Sequence, residues 1–140
     1  MSKPIRLAFT MGDPAGIGPE ITAKATRQMA GLVASGQLEF IVLGSAAVIQ
    51  AAEQRMGLPA LNDQGQPFYR MVDVGPVNPP VKLGEISASG GEWSYRAVAK
   101  AVELVQAGEA DAIVTGPLCK EALHLAGHPF EGHTEMLAHL

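Results

Sequence analysis

Two short apolar runs, each closed by glycine and each followed at once by a helical pattern, constrain this chain more than any other feature. Residues 5–11 (IRLAFTM) read as a buried strand that Gly12, Asp13 and Pro14 end. The segment GDPAGIGPE then turns the chain, because glycine allows backbone conformations closed to other residues and proline fixes others. Pro19 suits the first turn of a helix, where its missing N–H costs little. The spacing predicts a helix over residues 19–34, with Ile21, Ala25, Met29, Leu32 and Val33 on one side. Residues 38–43 (LEFIVL) give a second strand, ended by Gly44. Ser45 can cap a second helix over residues 46–56, which Gly57 stops. Strand–helix–strand–helix with short joints predicts an α/β fold with a parallel sheet and right-handed crossovers.

The pattern loosens over residues 58–90. Residues 58–67 read as loop and residues 68–74 as a strand. The following stretch, GPVNPPVKLGEISASGG, is too long and too rich in glycine and proline for a simple βαβ continuation. It is either an extended excursion or an arm that packs on another subunit. Residues 91–107 give the clearest helix, since Trp93, Ala97, Val98, Ala101, Leu104 and Val105 recur at helical spacing before Gly108. Residues 111–115 predict a core strand, followed by a Gly-Pro corner, a short helix, a loop and the start of another helix.

Composition narrows the function. Hydrophobic residues make up 47% and charged residues 17% of the 140 positions, as in a folded globular chain. The net charge is −4, and no basic stripe or aromatic platform gives reason to propose nucleic acid as a partner. One cysteine, Cys119, allows no intramolecular disulfide and suits a reducing compartment. The apolar run after Lys3 and Arg6 is short and makes a poor signal peptide. No run approaches the roughly 20 apolar residues of a membrane helix. A cytoplasmic protein that engages no membrane is expected. The final residues, EGHTEMLAHL, read as a helix beginning at an N-cap Thr134 with no terminator, which predicts that these 140 residues are part of a longer protein.

Two segments could carry chemistry. In GDPAGIGPE, Gly12, Gly16 and Gly18 follow a strand and precede a helix. That turn either presents backbone N–H groups to an anion or is a tight turn with Asp13 as its local cap. It is neither GxGxxG nor a P-loop, and Pro14 and Pro19 remove donors. In residues 111–140, Thr115 and Lys120 fall near the carboxyl end of a strand, where open α/β sheets bind ligands. Lys120 either neutralises a carboxylate or phosphate or is a solvated lysine beside Glu121. Cys119 lies near a helix start but has no partner at recognisable spacing, which favours a structural role. His124 and His128 are four apart, but Gly127 and Pro129 interrupt the helix, and there is no HExxH. His133 and Thr134, in GHTE at a helix start, combine an imidazole, a hydroxyl and end-of-helix N–H groups, which suits an oxyanion; a capping box is the other reading.

MGDPAGIGPE and TGPxxKxxxxxAGxxFxGHTE, about a hundred residues apart, resemble the amino-terminal part of the 4-hydroxythreonine-4-phosphate dehydrogenase (PdxA) family. The resemblance covers the whole chain and is strongest at residues 7–21 and 111–138. It implies a chain about twice as long, with two α/β domains of the isocitrate/isopropylmalate dehydrogenase type and a homodimer that completes the site. Residues 1–140 are then the amino-terminal α/β portion, with a substrate-binding segment at 111–140. The implied reaction is NAD- or NADP-dependent, metal-assisted oxidation of 4-phosphohydroxy-L-threonine to a β-keto acid, which decarboxylates to 3-amino-2-oxopropyl phosphate. A divalent metal (Zn, Mg, Co or Mn) stabilises developing negative charge on the substrate oxygen. The family's metal-binding histidines, and most of its cofactor site, lie beyond residue 140, so the isolated segment is expected to be inactive.

Substrate contacts carry over to His133 and Thr134, with Lys120 and Asp13 as weaker pocket candidates; some relatives have glutamate at the Asp13 position. The wording PLCKEALHLAGH looks closer to a sister branch that acts on D-threonate or D-erythronate 4-phosphate. A non-catalytic phosphate- or carboxylate-binding module is the alternative of another class.

Overall fold

A computed structural model of the chain describes residues 3–140. Four parallel strands form one sheet in the order β3-β2-β1-β4: β1 (Ile5–Thr10), β2 (Leu38–Gly44), β3 (Arg70–Asp73) and β4 (Ala112–Thr115). β1 lies inside, with Ile5 opposite Leu38 and Leu7 opposite Ala112. Helices α1 (Gly18–Gln28), α2 (Ala30–Ala34) and α3 (Ala46–Met56) follow the first two strands. The 19-residue α4 (Ala88–Gln106) precedes β4. Short helices α5 (Lys120–Leu125) and α6 (His133–His139) complete the described chain.

Alternation along the strands sorts the core into layers. Ala8, Ile41 and Leu43 pack with Ala97, Ala101 and Leu104 of α4 on one face. Phe9 and Phe40 pack with Ala25 and Val33 on the other. Ile41 and Leu43 have no exposed surface, and burying such a side chain contributes about 2 kcal/mol. Trp93 joins Met11, Val42 and Ile49 at the end of the sheet, and its indole N–H donates to the Gly75 carbonyl at 3.0 Å.

Several expectations change. The single helix over 19–34 is two helices, broken at Met29, where φ −97° and ψ 8° leave the helical range. Its buried face is Thr22, Ala23 and Thr26, while Ile21, Met29 and Leu32 are exposed. The reason is close packing: α1 runs against α3, and the two threonine hydroxyls are satisfied inside their own helix, by the carbonyls of Gly18 (2.8 Å) and Thr22 (3.0 Å). β3 is shorter than residues 68–74. α4 starts three residues early because Ser87 Oγ accepts from Gly90 N at 3.1 Å. β4 is not a core strand but an edge of the described sheet, with Val114 37% exposed.

Thr134 is not the N-cap of the last helix. Gly132 holds that place, His133 is the first helical residue, and the Glu135 carboxylate accepts the Glu131 N–H at 3.1 Å. The excursion after β3 packs on this same chain, since Gly84 N donates to the Ala15 carbonyl at 2.7 Å. Among the described residues no helix is long and apolar enough to cross a membrane.

Candidate functional site

The carboxyl ends of β1 and β4 meet mainly through backbone, with the Thr10 hydroxyl also accepting from Gly116 N at 3.2 Å. Gly116 N donates to the Thr10 carbonyl at 2.8 Å, and Asp13 N donates to the Pro117 carbonyl at 3.0 Å. The approach tolerates no side chain. A Cβ on Gly116 would lie 2.5 Å from the Thr10 oxygen, and one on Gly12 2.3 Å from the Pro117 oxygen. Gly12 also has φ +77°, a left-handed conformation that favours glycine.

This junction fixes Asp13. Its side chain is buried, and Oδ1 accepts the Ala15 N–H at 2.8 Å. Gly90, in the first turn of α4, faces the same carboxylate: a Cβ there would stand 3.0 Å from Oδ1. Burial pushes the Asp13 carboxyl above the usual range, and the Ala15 hydrogen bond opposes that shift. Gly16 N also donates to the Asp13 carbonyl at 3.0 Å, so Asp13 acts as the local cap of a tight turn. Beside the turn lies a cleft of about 320 Å³ bordered by Asp13, Ile17, Glu85, Ile86, Leu118 and Cys119.

The second component starts one residue after the β4 junction and ends on α6. α5 lies so close to α4 that a Cβ on Gly91 would be 1.9 Å from the Ala122 carbonyl oxygen. Ala122 and Leu123 are buried there. The loop beyond α5 is pinned by side chains. His124 Nε2 meets the Phe130 carbonyl at 3.0 Å, and Lys120 pairs with Glu131 at 2.8 Å. His128 Nε2 lies 2.5 Å from Glu92 Oε2 on α4, and its ring stacks on Tyr95 at 3.8 Å. The sequence reading missed Glu92 and Tyr95, because both look like ordinary surface positions of an amphipathic helix; only the fold reveals their partner.

His133 is turned in toward the β4 junction, in contact with the backbone of Gly116. Its Nε2 is fully buried and has no hydrogen-bond partner. Burial lowers the imidazole pKa below 6.5, and the Gly116 backbone opposes this, so the neutral ring is favoured near pH 7. Thr134 is exposed on the next position. Lys120 is more than half exposed and its ammonium is engaged by Glu131, which raises its pKa. The fold thus brings Asp13 and His133 to the same two-strand junction, and leaves Lys120 and Thr134 on the outside of the segment.

Comparison with known proteins decides the family. Residues 25–140 match the family described as "Pyridoxal phosphate biosynthetic protein PdxA". The chain belongs to the PdxA family. A D-threonate 4-phosphate dehydrogenase of Bordetella bronchiseptica is 41% identical over 145 aligned residues, covering 95% of this chain and 40% of that protein. A 4-hydroxythreonine-4-phosphate dehydrogenase of Burkholderia vietnamiensis is 37% identical over 134 aligned residues, covering 96% and 40%. The crystal structure of a 4-hydroxythreonine-4-phosphate dehydrogenase from Burkholderia phymatum superposes with a TM-score of 0.82 at 37% identity, over 99% of this chain and 44% of that one. The chain therefore has the α/β fold of PdxA structures and spans less than half the length of these relatives.

The PdxA family implies a nicotinamide cofactor and a metal. Among the described residues no group of three or more histidine, cysteine, aspartate or glutamate side chains could hold a metal ion. The described residues do not by themselves assemble a metal site.

Proposed function

We propose that the full-length protein is an NAD- or NADP-dependent dehydrogenase of a four-carbon hydroxy acid 4-phosphate, and that this segment supplies part of its substrate pocket. The observation that carries the reading is His133: a buried, unpartnered Nε2 at the carboxyl edge of the sheet, in a fold shared with dehydrogenases. Buried polar atoms are nearly always hydrogen-bonded, so an orphan facing a sheet edge is best satisfied by a ligand. The neutral ring gives or takes one hydrogen bond with a substrate oxygen. Thr134, on the next position, adds a hydroxyl, and Asp13 lies at the same two-strand junction, while Lys120 would reach a substrate only by leaving Glu131.

With a nicotinamide bound, the secondary alcohol would be oxidised to a β-keto acid that would release carbon dioxide and leave a three-carbon keto phosphate; the part of this segment would be to hold the phosphorylated acid at His133 and Thr134. A second α/β half beyond residue 140 would hold a divalent metal and the cofactor, in a cytoplasmic homodimer.

Two substrates suit this scheme. Relatives named for D-threonate 4-phosphate reach 46% identity and those named for 4-hydroxythreonine-4-phosphate 37%, which favours the sugar-acid phosphate. The test is a panel on the full-length protein with divalent metal and each nicotinamide. Reduction of NAD(P) with a higher kcat/KM for D-threonate 4-phosphate than for 4-phosphohydroxy-L-threonine is expected. A reversed preference restores the vitamin-pathway substrate, and no turnover with either removes the dehydrogenase reading.

A further inference from the structure

We infer that Glu92, on α4, is a positioning residue for His133. This rests on the substrate-holding role proposed for that histidine. His133 opens α6, a helix of only seven residues whose single buried side chain is Met136. So short a helix has little stability of its own and takes its placement from what leads into it. The lead-in is the loop over residues 126–132, which is laid along α4 by an aromatic ladder. His128 stacks on Tyr95 with centroids 3.8 Å apart and ring planes 15° apart. Phe130 stacks on the same Tyr95 at 6.3 Å, and His139 of α6 packs on Phe130 at 5.2 Å.

Glu92 closes the ladder at its base. One carboxylate oxygen meets His128 Nε2, and the other accepts from Arg96 Nε at 3.1 Å, one helical turn along. Glu92 and Tyr95 are three apart, so they present their groups on one side of α4, and the carboxylate fixes the ring that Tyr95 supports. Other restraints on the loop, the exposed Lys120–Glu131 and His124–Phe130 contacts and the backbone bond from His128 N to the Leu123 carbonyl at 2.9 Å, hold it to α5 rather than to α4. Without Glu92, the ring of His128 is free to leave Tyr95, and the wider Phe130–Tyr95 stack is left to tie the lead-in of α6 to the longest helix of the fold.

The experiment uses the full-length protein and reads His133 twice. Carbethoxylation by diethyl pyrocarbonate at fixed pH, followed residue by residue by mass spectrometry, reports the access of His133 independently of turnover. Glu92→Ala is expected to speed modification of His133 about tenfold and to leave that of the already exposed His124 unchanged. Glu92→Gln, whose amide oxygen can still accept from His128, is expected to restore the slow rate. In parallel, Glu92→Ala raises KM for the phosphorylated acid about tenfold with kcat nearly kept, the signature of a displaced binding group rather than of a smaller folded fraction.

Tyr95→Leu, which removes the shared stacking partner, should act in the same direction and stands in if Glu92→Ala does not fold. Unchanged His133 labelling in Glu92→Ala and Tyr95→Leu overturns the inference. A wild-type enzyme inactive on both acids counts against the proposed function instead, and the labelling result still decides the positioning role.

Discussion

The two halves of the candidate site are held in opposite ways. At the β1–β4 junction, glycine backbones touch backbone, and Asp13 is locked by main-chain groups of Ala15 and Pro117. In the segment after α5, side chains do the holding: His128 on Glu92 and Tyr95, Lys120 on Glu131, Phe130 on His139. A backbone junction is rigid and fails abruptly when a single atom is added. A side-chain lattice yields in small steps and can be retuned. His133 spans the two, with its main chain in the lattice and its ring against Gly116 of the junction.

The largest contrast comes from the same substitution in each half. Gly12→Ala would drive a Cβ to 2.3 Å from a backbone oxygen, at φ +77°. It should cost about 3 kcal/mol or more in a denaturant melt of the full-length protein. Gly127→Ala, at φ +88° with nothing within 4 Å, meets only the left-handed backbone penalty and should cost about 1 kcal/mol. Equal costs at the two positions would erase the distinction.

Charge gives an intermediate effect. The Asp13 carboxyl has a folded pKa above its ordinary 3.8, because burial penalises the charged form. Its contribution to stability is therefore complete below that ordinary value and is lost as pH rises through the folded pKa. Asp13→Asn keeps the Ala15 acceptor but removes this titration. Wild type should lose ground to the variant over that acid window, in urea melts at a series of pH values. A constant difference would mean that Asp13 is solvated.

The smallest effect belongs to Lys120→Ala. Its pair with Glu131 is exposed on both sides, at 55% and 66%, and solvent screens such pairs. No measurable change in stability is expected, and a large one would mean that this exposed pair carries the lattice rather than the contacts on α4.

Much of this was legible in the sequence, for identifiable reasons. The strands β1 and β2, the helix after Gly44 and its stop at Gly57 follow from local signals, a run of apolar residues and a glycine at φ +66°. The junction was legible as glycines and prolines, but the Pro117 partner of the Asp13 N–H cannot be read without the second strand. The face of α1 was misjudged because threonines that bond to their own helix bury as readily as alanine, a choice made by the close approach of α3. β4 read as core because its residues are apolar, and sheet position is not written in four residues. His133 was legible as a motif; its orphan Nε2 and its neutral ring depend on burial, which only the folded chain supplies.

The central claim is that His133 holds the substrate, and steady-state kinetics of His133→Ala in the full-length protein test it most directly. A hydrogen bond to a charged group contributes about 1.5–3 kcal/mol, so KM for the phosphorylated hydroxy acid should rise roughly ten- to a hundredfold. KM for the nicotinamide cofactor should stay near that of wild type. Unchanged kinetics for the acid would contradict the account.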